Sequence, residues 1–451
     1  MPSQVIDSIF FRDLYGSVTM RAVFDDMTLL QKWLDFEAAL ARAEAQVGIV
    51  PADAAQEITR KAVAANFDTD AIKLGIDKTV HPLVSLIWQF AKLCEGDAGR
   101  YVHWGATTQD VMDSALVLQL KDAYPLFEET LDQLVTALAK LARTYRDTPM
   151  AGRTHGQQAL PITFGFKVAV WLSEVRRHRE RLAACKARVL VGQFAGAAGT
   201  LASVAEHGLA LQRAVMHELG LGVPDITWHT ARDNIAEFAN MLTMLTATLG
   251  KIAHEIIDLQ KNEFGEVEEP FEIGKVGSST MPQKRNPMIC EAILSVARLT
   301  RQSAAVAVDS LYSEHERDWS TVQMEWSYLP QLCVMAHGAL EMSVRVMNGL
   351  QVYPENMMRN LLSSHGLLLA ERVMLALGKF IGRQQAHDTI YESAMRAFEQ
   401  RLPFEEVLQQ NASVAAYLDP QTITNLLDPV QYTGLSAVFV DRMLAEASDS
   451  G

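Results

Sequence analysis

Apolar residues in the middle of the chain recur at spacings that alternate between three and four. A pattern of this kind places the apolar side chains along one face of a continuous helix. A helix of about 28 residues with such a seam would be about 40 Å long. The longest stripe consists of Ile235, Phe238, Leu242, Leu245, Leu249, Ile252, Ile256 and Leu259.

Two further stripes with similar spacing predict two more long helices. Few runs alternate with a period of two, and no G-x-G-x-x-G or P-loop pattern is present, so the sequence predicts an all-α fold. Long helices of this kind are too slender to bury every apolar face within one chain, which predicts bundles that pack across subunits. The two stripes are Leu120, Phe127, Leu131, Leu134, Leu138, Leu141 and Val168, Leu172, Val175, Leu182.

Turn signals and motif positions divide the chain into three predicted helical domains. An N-terminal domain is predicted at residues 1–108, and a central long-helix bundle at residues 109–352. Tyr353 and Pro354 then predict a break and a new helix start, because proline is favoured in the first turn of a helix. A smaller helical domain is predicted at residues 353–451.

The composition is that of a folded globular protein and not of a disordered one. Of 451 residues, 49% are hydrophobic and 21% are charged. The net charge of −14 argues against nucleic acid or an anionic membrane as a partner. A small anionic substrate is compatible with this charge, because the local charge at a site decides such binding.

The sequence gives no indication of a metal site, a disulfide framework or a membrane span. The four cysteines are widely separated and include no C-x-x-C pair. Residues 189–205 are uncharged but too short and too rich in glycine and alanine to span a membrane. We interpret them as a helix end followed by a glycine-rich loop. The N-terminus does not resemble a secretion signal, and a cytoplasmic protein is expected.

The segment GSSTMPQKRNP at residues 277–287, with Glu291 four positions after it, carries the strongest candidate chemistry. One glycine and two prolines mark it as a loop. Removal of a proton beside a carboxylate requires a base and fixed donors for the charge that develops on the carboxylate oxygens. A serine hydroxyl can be that base if loop amides, a nearby cation and exclusion of water activate it.

This pattern resembles the signature of the fumarase/aspartase superfamily, whose members eliminate an amine or alcohol beside a carboxylate. The resemblance implies that Ser278 is the base and that Lys284 and Asn286 hold the substrate carboxylate. Ser279 is assigned to substrate binding and is also an alternative base. Several acids precede the cations of the loop, and we interpret them as part of a solvated loop; the alternative is that they hold the loop away from the site until a dicarboxylate binds. These acids are Glu263, Glu266, Glu268, Glu269 and Glu272.

Two other segments resemble the remaining boxes of the same superfamily. GRTHGQQALP begins at residue 152 and is similar to a box in which Thr154 and His155 face the substrate. HWGATTQD begins at residue 103 and is similar to a box whose hydroxyls, here Thr107 and Thr108, bind carboxylates. The three boxes occur in the order that the superfamily shows, and the resemblance covers nearly the whole chain.

Other segments resemble the branch that contains adenylosuccinate lyases and 3-carboxy-cis,cis-muconate cycloisomerases. HERD at residues 315–318 and the RD pair that begins at Arg232 are similar to lyase segments, which implies that Arg317 and Arg232 bind substrate. WHT at residues 228–230 and EWSYLP at residues 325–330 are similar to the cycloisomerases instead. The chain therefore lies between two activities.

The resemblance leaves two candidates for the group that serves the leaving atom. In the lyases the box histidine is paired with the glutamate that ends the signature, and this chain has both, as His155 and Glu291. Bacterial cycloisomerases of the closest type often lack this pair, which favours elimination. His81 falls where adenylosuccinate lyases carry another functional histidine and is the second candidate. A surface histidine at a helix start is the alternative interpretation of His81.

The resemblance implies a cofactor-free lyase that eliminates an amine or alcohol from a succinyl-type substrate and releases fumarate. It also implies a homotetramer whose active sites are shared between subunits. LY at residues 14–15 replaces an Arg-Tyr pair that meets the substrate phosphate in adenylosuccinate lyases, which argues against a nucleotide substrate. A carboxymuconate cycloisomerase is the first alternative function, and a non-catalytic scaffold or binding protein is the second.

Overall fold

The computed structural model describes residues 4–271, 281 and 283–445. It is 71% helical, which confirms the all-α prediction. The described residues form two compact units. Unit 1 comprises Met1–Leu131, His178–Gly250 and Ser295–Glu341, and unit 2 comprises Asp132–Arg177, Lys251–Leu294 and Met342–Gly451. The division into three domains along the chain stays a prediction.

Helices account for most of the described residues, and four short strands among these residues form two antiparallel ladders. The strands are β1 (Pro149–Thr154), β2 (Gln157–Thr163), β3 (Val267–Glu268) and β4 (Gln351–Val352), and β1 pairs with β2 and β3 with β4. In chain order the helices are α1 (Arg12–Tyr15), α2 (Val18–Val23), α3 (Asp26–Gln46), α4 (Ala52–Lys61), α5 (Thr69–Thr79), α6 (Val84–Leu93), α7 (Thr108–Thr144), α8 (Phe164–Val189), α9 (Gly208–Leu219), α10 (Asp233–Gln260), α11 (Met288–Asp309), α12 (Trp319–Gly349), α13 (Pro354–Leu362), α14 (Ala370–Ile381), α15 (Arg383–Gln400), α16 (Phe404–Gln410), α17 (Ala412–Ala415), α18 (Pro420–Leu426) and α19 (Ser436–Ala445).

The three long helices predicted from the apolar stripes are confirmed as α7, α8 and α10. α10 has 28 residues, and every position of its predicted seam is buried. α7 continues through Pro125. α13 begins at Pro354 as predicted, since proline in the first turn removes only an N–H that the helix would leave unpaired.

Unit 1 has an apolar core around α3. Leu34, Phe36 and Leu40 on the buried face of α3 are at most 1% exposed. α4, α6 and α9 contribute other side chains to this core. Val102 and Ala106 pack against the same core, so burial of apolar surface holds the segment that leads into α7.

Unit 2 contains a second core among the C-terminal helices. Val373, Leu377 and Phe404 are fully buried in that core. The β1–β2 hairpin of unit 2 was not predicted from the sequence, because Met150 and Ala151 on β1 are both buried and the expected alternation is missing.

The uncharged stretch is a helix end followed by a loop, as predicted. α8 ends at Val189, and the glycine-rich residues after it are irregular. Across the described part of the chain, no single helix is long and apolar enough to cross a membrane. Two consecutive helical segments, Pro354–Leu362 and Leu367–Ile381, together have the length and composition of a membrane span, but the chain bends by 77° between them.

Candidate active site

The signature segment is described from Gln283 onward, together with Met281. Ser278 and Ser279 lie outside the described residues, so their assigned roles stay predictions. Lys284 and Asn286 are in an irregular segment, and Glu291 is in the first turn of α11. These three side chains line one cavity of about 810 Å³ in unit 2. The structure therefore brings together an ammonium, a carboxamide and a carboxylate of the signature.

Arg285 lines the same cavity, but its guanidinium is engaged by the chain itself. Its Nη1 donates to Oε1 of Glu268 at 2.9 Å, and its guanidinium lies 4.4 Å from the ring centre of Phe271. The hydroxyl of Tyr353 donates to the other oxygen of Glu268 at 2.9 Å. Lys284 forms no ion pair with any described residue. The ion pair of Arg285 with Glu268 makes Lys284 the better candidate of the two, and carboxylate binding by Lys284 stays a prediction.

Two acids that were interpreted as part of a solvated loop are buried, which corrects that interpretation. Glu266 is fully buried, and Glu269 is 2% exposed. The carboxylate of Glu269 accepts hydrogen bonds from the backbone N–H groups of Ile289 and Cys290, both at 3.0 Å. A carboxylate in this position satisfies unpaired N–H groups of the first helical turn and interacts favourably with the helix dipole. Glu269 therefore fixes the start of α11 and with it the position of Glu291.

The second box forms the β1–β2 hairpin. His155 and Gly156 are its two turn residues, and their φ angles are 53° and 75°. Positive φ at both positions is typical of the two-residue turn that matches the twist of the flanking strands. Thr154 and His155 are exposed at the tip. The turn thus displays the two predicted substrate-facing side chains on a rigid support.

An ion pair of Arg153 connects this hairpin to the rest of unit 2. Its guanidinium donates to both carboxylate oxygens of Glu266, at 2.6 and 3.0 Å. Asn360 donates through Nδ2 to Oε1 of Glu266 at 2.8 Å. A bidentate arginine–carboxylate pair is strong and directional, and here it is largely shielded from water. Glu266 was interpreted as part of a solvated loop because its partner lies 113 positions away and the local sequence does not reveal the pair.

The third box lies at the start of α7 in unit 1, and its hydroxyls lie beside a histidine. Oγ1 of Thr108 is 3.3 Å from Nε2 of His81. The backbone N–H of Thr107 donates to Oδ2 of Asp110 at 3.0 Å. The structure therefore places His81, Thr107 and Thr108 together, although the sequence alone could not show that His81 approaches this box.

Asp110 holds the third box in place, a role that the sequence analysis missed. It is fully buried and accepts hydrogen bonds from the backbone N–H groups of Ala195 and Gly196, both at 3.0 Å. Its Oδ1 is also 2.9 Å from Nε2 of His229. These contacts tie the glycine-rich loop to the box. The T-x-x-D spacing from Thr107 to Asp110 was the available signal, since it is a helix-capping pattern.

Arg232 and Arg317, both predicted to bind substrate, lie in different surroundings in unit 1. The side chain of Arg232 has no exposed surface, and it pairs with Asp113 at 2.9 Å and with Glu325. Burial opposes its charge, but the two carboxylates raise the pKa of Arg232 overall. Arg317 is partly exposed and donates through Nε to Gln109 at 2.9 Å. Substrate binding by either arginine stays a prediction.

Comparisons with known proteins show the family to which this chain belongs. Residues 15–300 match the sequence model of a family described as Lyase, and residues 366–443 match one described as Adenylosuccinate lyase C-terminus. The first match alone covers more than half of the chain. This chain belongs to the fumarate lyase family. The resemblance stated from the sequence is confirmed.

Relatives of this fumarate lyase span its whole length. It is 42% identical to N-acetyl-S-(2-succino)cysteine lyase of Enterococcus italicus, over 100% of this chain and 99% of that protein. It is also 42% identical to 3-carboxy-cis,cis-muconate cycloisomerase of Pseudomonas aeruginosa, over 98% and 96%. The solved 3-carboxy-cis,cis-muconate lactonizing enzyme from Pseudomonas putida superimposes with a TM-score of 0.92 at 37% identity, over 98% and 99%. The chain is a lyase that acts on a small carboxylate.

Proposed function

We propose that this fumarate lyase breaks the bond between C2 of a succinyl group and a heteroatom, and releases fumarate. The observation that carries the proposal is the common cavity of Lys284, Asn286 and Glu291, about 810 Å³ in volume. An ammonium that forms no ion pair with the described residues and an amide donor suit a substrate carboxylate, and the acid supplies an orienting group. Elimination of this type agrees with the family to which the chain belongs.

The proposed step balances without a cofactor. A base takes the proton from C3, beside the second carboxylate, and the electron pair moves toward that carboxylate. The bond between C2 and the heteroatom then breaks, the C2–C3 double bond forms, and the leaving group departs with the bonding electrons. Donors aimed at the carboxylate lower the barrier, because the negative charge develops there.

The residues take the following roles in the proposal. Ser278 is the base, and Lys284 and Asn286 bind the carboxylate that receives the charge. His155, oriented by Glu291, serves the leaving group directly or through water. The hydroxyls that hold the carboxylates are those of Thr107, Thr108, Thr154 and Ser279.

A thioether is the first candidate substrate. The relative named N-acetyl-S-(2-succino)cysteine lyase is 42% identical over the full chain. A thiol has an ordinary pKa of about 8.5 and leaves as an anion far more readily than an amine does, so elimination of a thiol needs little help from an acid. Succinyl amines and alcohols are the other candidates of the same reaction class.

Lactonization of a carboxymuconate is the second candidate function. The relative that carries this name is 42% identical over 98% of the chain. In that reaction a carboxylate adds to an alkene of the same molecule, and no fumarate is formed. The presence of both His155 and Glu291 favours elimination.

A substrate screen separates the two candidates. The protein is incubated with N-acetyl-S-(2-succino)cysteine, with succinyl amines and with 3-carboxy-cis,cis-muconate, and fumarate, free thiol and lactone are measured by mass spectrometry. Equal amounts of fumarate and thiol from the first compound support the proposal. Lactone from the third compound, with no fumarate from any succinyl compound, would replace it.

Replacement of the proposed base gives the first specific prediction. Ser278→Ala is expected to lower turnover by about 10² to 10⁴, because a positioned base contributes that much to proton abstraction. Ser279→Ala is the matched control and is expected to have the smaller effect. Turnover by Ser278→Ala within about tenfold of wild type, roughly 1.4 kcal/mol in the barrier, would reject the assignment.

We further propose a cytoplasmic homotetramer with shared active sites. Several large apolar side chains on the long helices are exposed in the single chain, among them Met244 at 47%, Leu299 at 42% and Val308 at 54%. Apolar surface of this extent on bundle helices is typical of subunit contacts. The four cysteines are free and buried, which suits a reducing compartment.

A further inference from the structure

A buried carboxylate of α3 contacts the first residue of the third box. Oε1 of Glu37 is 2.6 Å from Nδ1 of His103, and the Glu37 side chain is only 1% exposed. A carboxylate at this depth requires a charged or hydrogen-bonding partner, because burial of an isolated charge is costly. His103 has a φ of 63°, in the left-handed region that residues other than glycine seldom adopt. Tertiary contacts therefore hold His103 in this position.

The surroundings of His103 favour its positive charge. Burial alone would lower the pKa of His103, but the charge of Glu37, the hydrogen bond to Glu37 and the charge of Asp110 together raise it. Asp110 lies in the same unit at the start of α7. The two carboxylates thus favour the protonated form of His103 over the neutral form.

The surroundings of His81, in contrast, favour its neutral form. Its Nδ1 accepts hydrogen bonds from the backbone N–H groups of Leu83 and Val84, at 3.4 and 3.2 Å. The proton of the neutral ring therefore lies on Nε2, which donates to Oγ1 of Thr108 at 3.3 Å. Burial lowers the pKa of His81, and the charge of His103 lowers it further. Protonation of Nδ1 would also break both backbone contacts.

We propose that Glu37, through its contact with His103, determines which of the two histidines is charged and fixes His81 as a neutral N–H donor toward Thr108. Glu37 is then a positioning residue, and His81 keeps its proton throughout turnover. A neutral imidazole can stabilise developing negative charge as a hydrogen-bond donor, but it is a very weak acid. This proposal assigns His81 as a hydrogen-bond donor and not as the acid that protonates the leaving group, and it rests on the proposed function. Any proton that the leaving group needs would come from His155 or from water.

The test measures the pKa of each histidine without reference to activity. Deuterium exchange at the C2 position of histidine rings, followed by mass spectrometry of peptides, reports individual pKa values in the full-length protein. In the wild type, His103 is expected to titrate above His81. In Glu37→Gln, the pKa of His103 is expected to fall and that of His81 to rise. Glu44→Gln is the matched control, since it alters a buried acid one heptad further along α3 and should leave both values unchanged.

A second variant keeps the test informative if Glu37→Gln does not fold. His103→Asn removes the charge, and asparagine tolerates positive φ, so it is expected to raise the pKa of His81. A wild-type pKa of His81 at or above that of His103 would overturn the proposal, as would unchanged values in Glu37→Gln or His103→Asn. None of these outcomes depends on finding the substrate, so failure of this proposal and failure of the proposed function are distinguishable.

Kinetics supply a further readout once a substrate is identified. Glutamine retains an N–H donor but cannot act as an acid. His81→Gln is therefore expected to retain turnover within about tenfold of wild type, whereas His81→Leu is expected to lose considerably more, since tenfold corresponds to about 1.4 kcal/mol. Equal and large losses in both variants would show that His81 acts as a proton donor and would overturn the proposal.

Discussion

At the residue scale, most buried charges described here hold one segment against another. The Arg153–Glu266 pair holds the hairpin, Asp110 holds the third box, and Glu269 holds the start of α11. Glu44 is different, because neither of its carboxyl oxygens has a hydrogen-bond partner among the described residues. Burial raises the pKa of Glu44 to about 9, with a contribution from the charge of Glu37. Glu44 is therefore a neutral acid near pH 7.

Glu44→Gln is expected to stabilise the protein more at pH 8 than at pH 5. Folded Glu44 keeps its proton up to about pH 9, whereas the unfolded chain ionises near its ordinary pKa of 4.5. The unfolded state thus binds fewer protons in this window, and the wild type loses up to about 1.4 kcal/mol of stability per pH unit as the pH rises. Glutamine does not ionise. Urea unfolding of both proteins measures the difference, and parallel stability curves would contradict the assignment.

Arg232→Met tests whether Arg232 is needed for folding. Removal of the guanidinium leaves Asp113 and Glu325 buried without their counter-charge, and breaking a buried pair in this way costs about 3–5 kcal/mol. Arg232→Met/Glu325→Leu is expected to recover part of that loss. Denaturant unfolding gives the free energies. A stable Arg232→Met with a raised KM would instead favour the predicted substrate contact.

At the element scale, the β1–β2 hairpin depends on a turn that few residue types can adopt. His155 and Gly156 both have positive φ, and Arg153 anchors the strand that enters the turn. The loop before α11 is fixed differently, since Gln260 donates to the backbone oxygen of Arg285 at 3.1 Å and Glu268 binds the Arg285 side chain. Both elements present candidate site residues on supports that are themselves held by hydrogen bonds.

Gly156→Ala is expected to lower both stability and turnover. The φ of Gly156 is 75°, so a Cβ there costs about 1 kcal/mol, and relaxation of the turn would move His155. Gly434→Ala is a matched control in the same unit, because Gly434 also has positive φ and open space around its Cα. Both variants should lose similar stability in thermal unfolding. Equal turnover in the two variants would show that the geometry of the turn is unimportant for catalysis.

At the scale of the whole molecule, the described site residues occur in separate groups within the two units. Unit 1 holds His81, Thr107 and Thr108, while unit 2 holds the hairpin tip and the signature cavity. A homotetramer with shared sites, as proposed, would complete each site with boxes from different copies of the chain.

Shared sites predict complementation between inactive variants. His155→Ala and Ser278→Ala are each expected to be nearly inactive. Subunits mixed after reversible dissociation should form hybrid tetramers in which some sites contain no substitution, because each site draws its boxes from different copies. The measurement is turnover before and after mixing. Light scattering confirms that the mixed subunits have the mass of a tetramer. Absence of regained turnover in verified hybrid tetramers would indicate sites built within one chain.

The sequence by itself determined the features that are local along the chain. The alternating apolar spacing determined α10, and Pro354 marked the start of α13, because helix periodicity and capping depend on neighbouring residues. The three boxes could be recognised for the same reason, since each is a continuous segment. They indicated the family, and the family indicated elimination from a small carboxylate.

Only the tertiary structure decided which distant residues meet. His103 and Glu37 are 66 positions apart, and nothing in the local pattern of α3 distinguishes Glu37 from a solvent-exposed acid. The burial of Glu266 and Glu269, and the hairpin around His155, were missed for the same reason. Whether a charge is buried, and what faces it, depends on how helices and loops pack, and spacing along the chain does not contain that information.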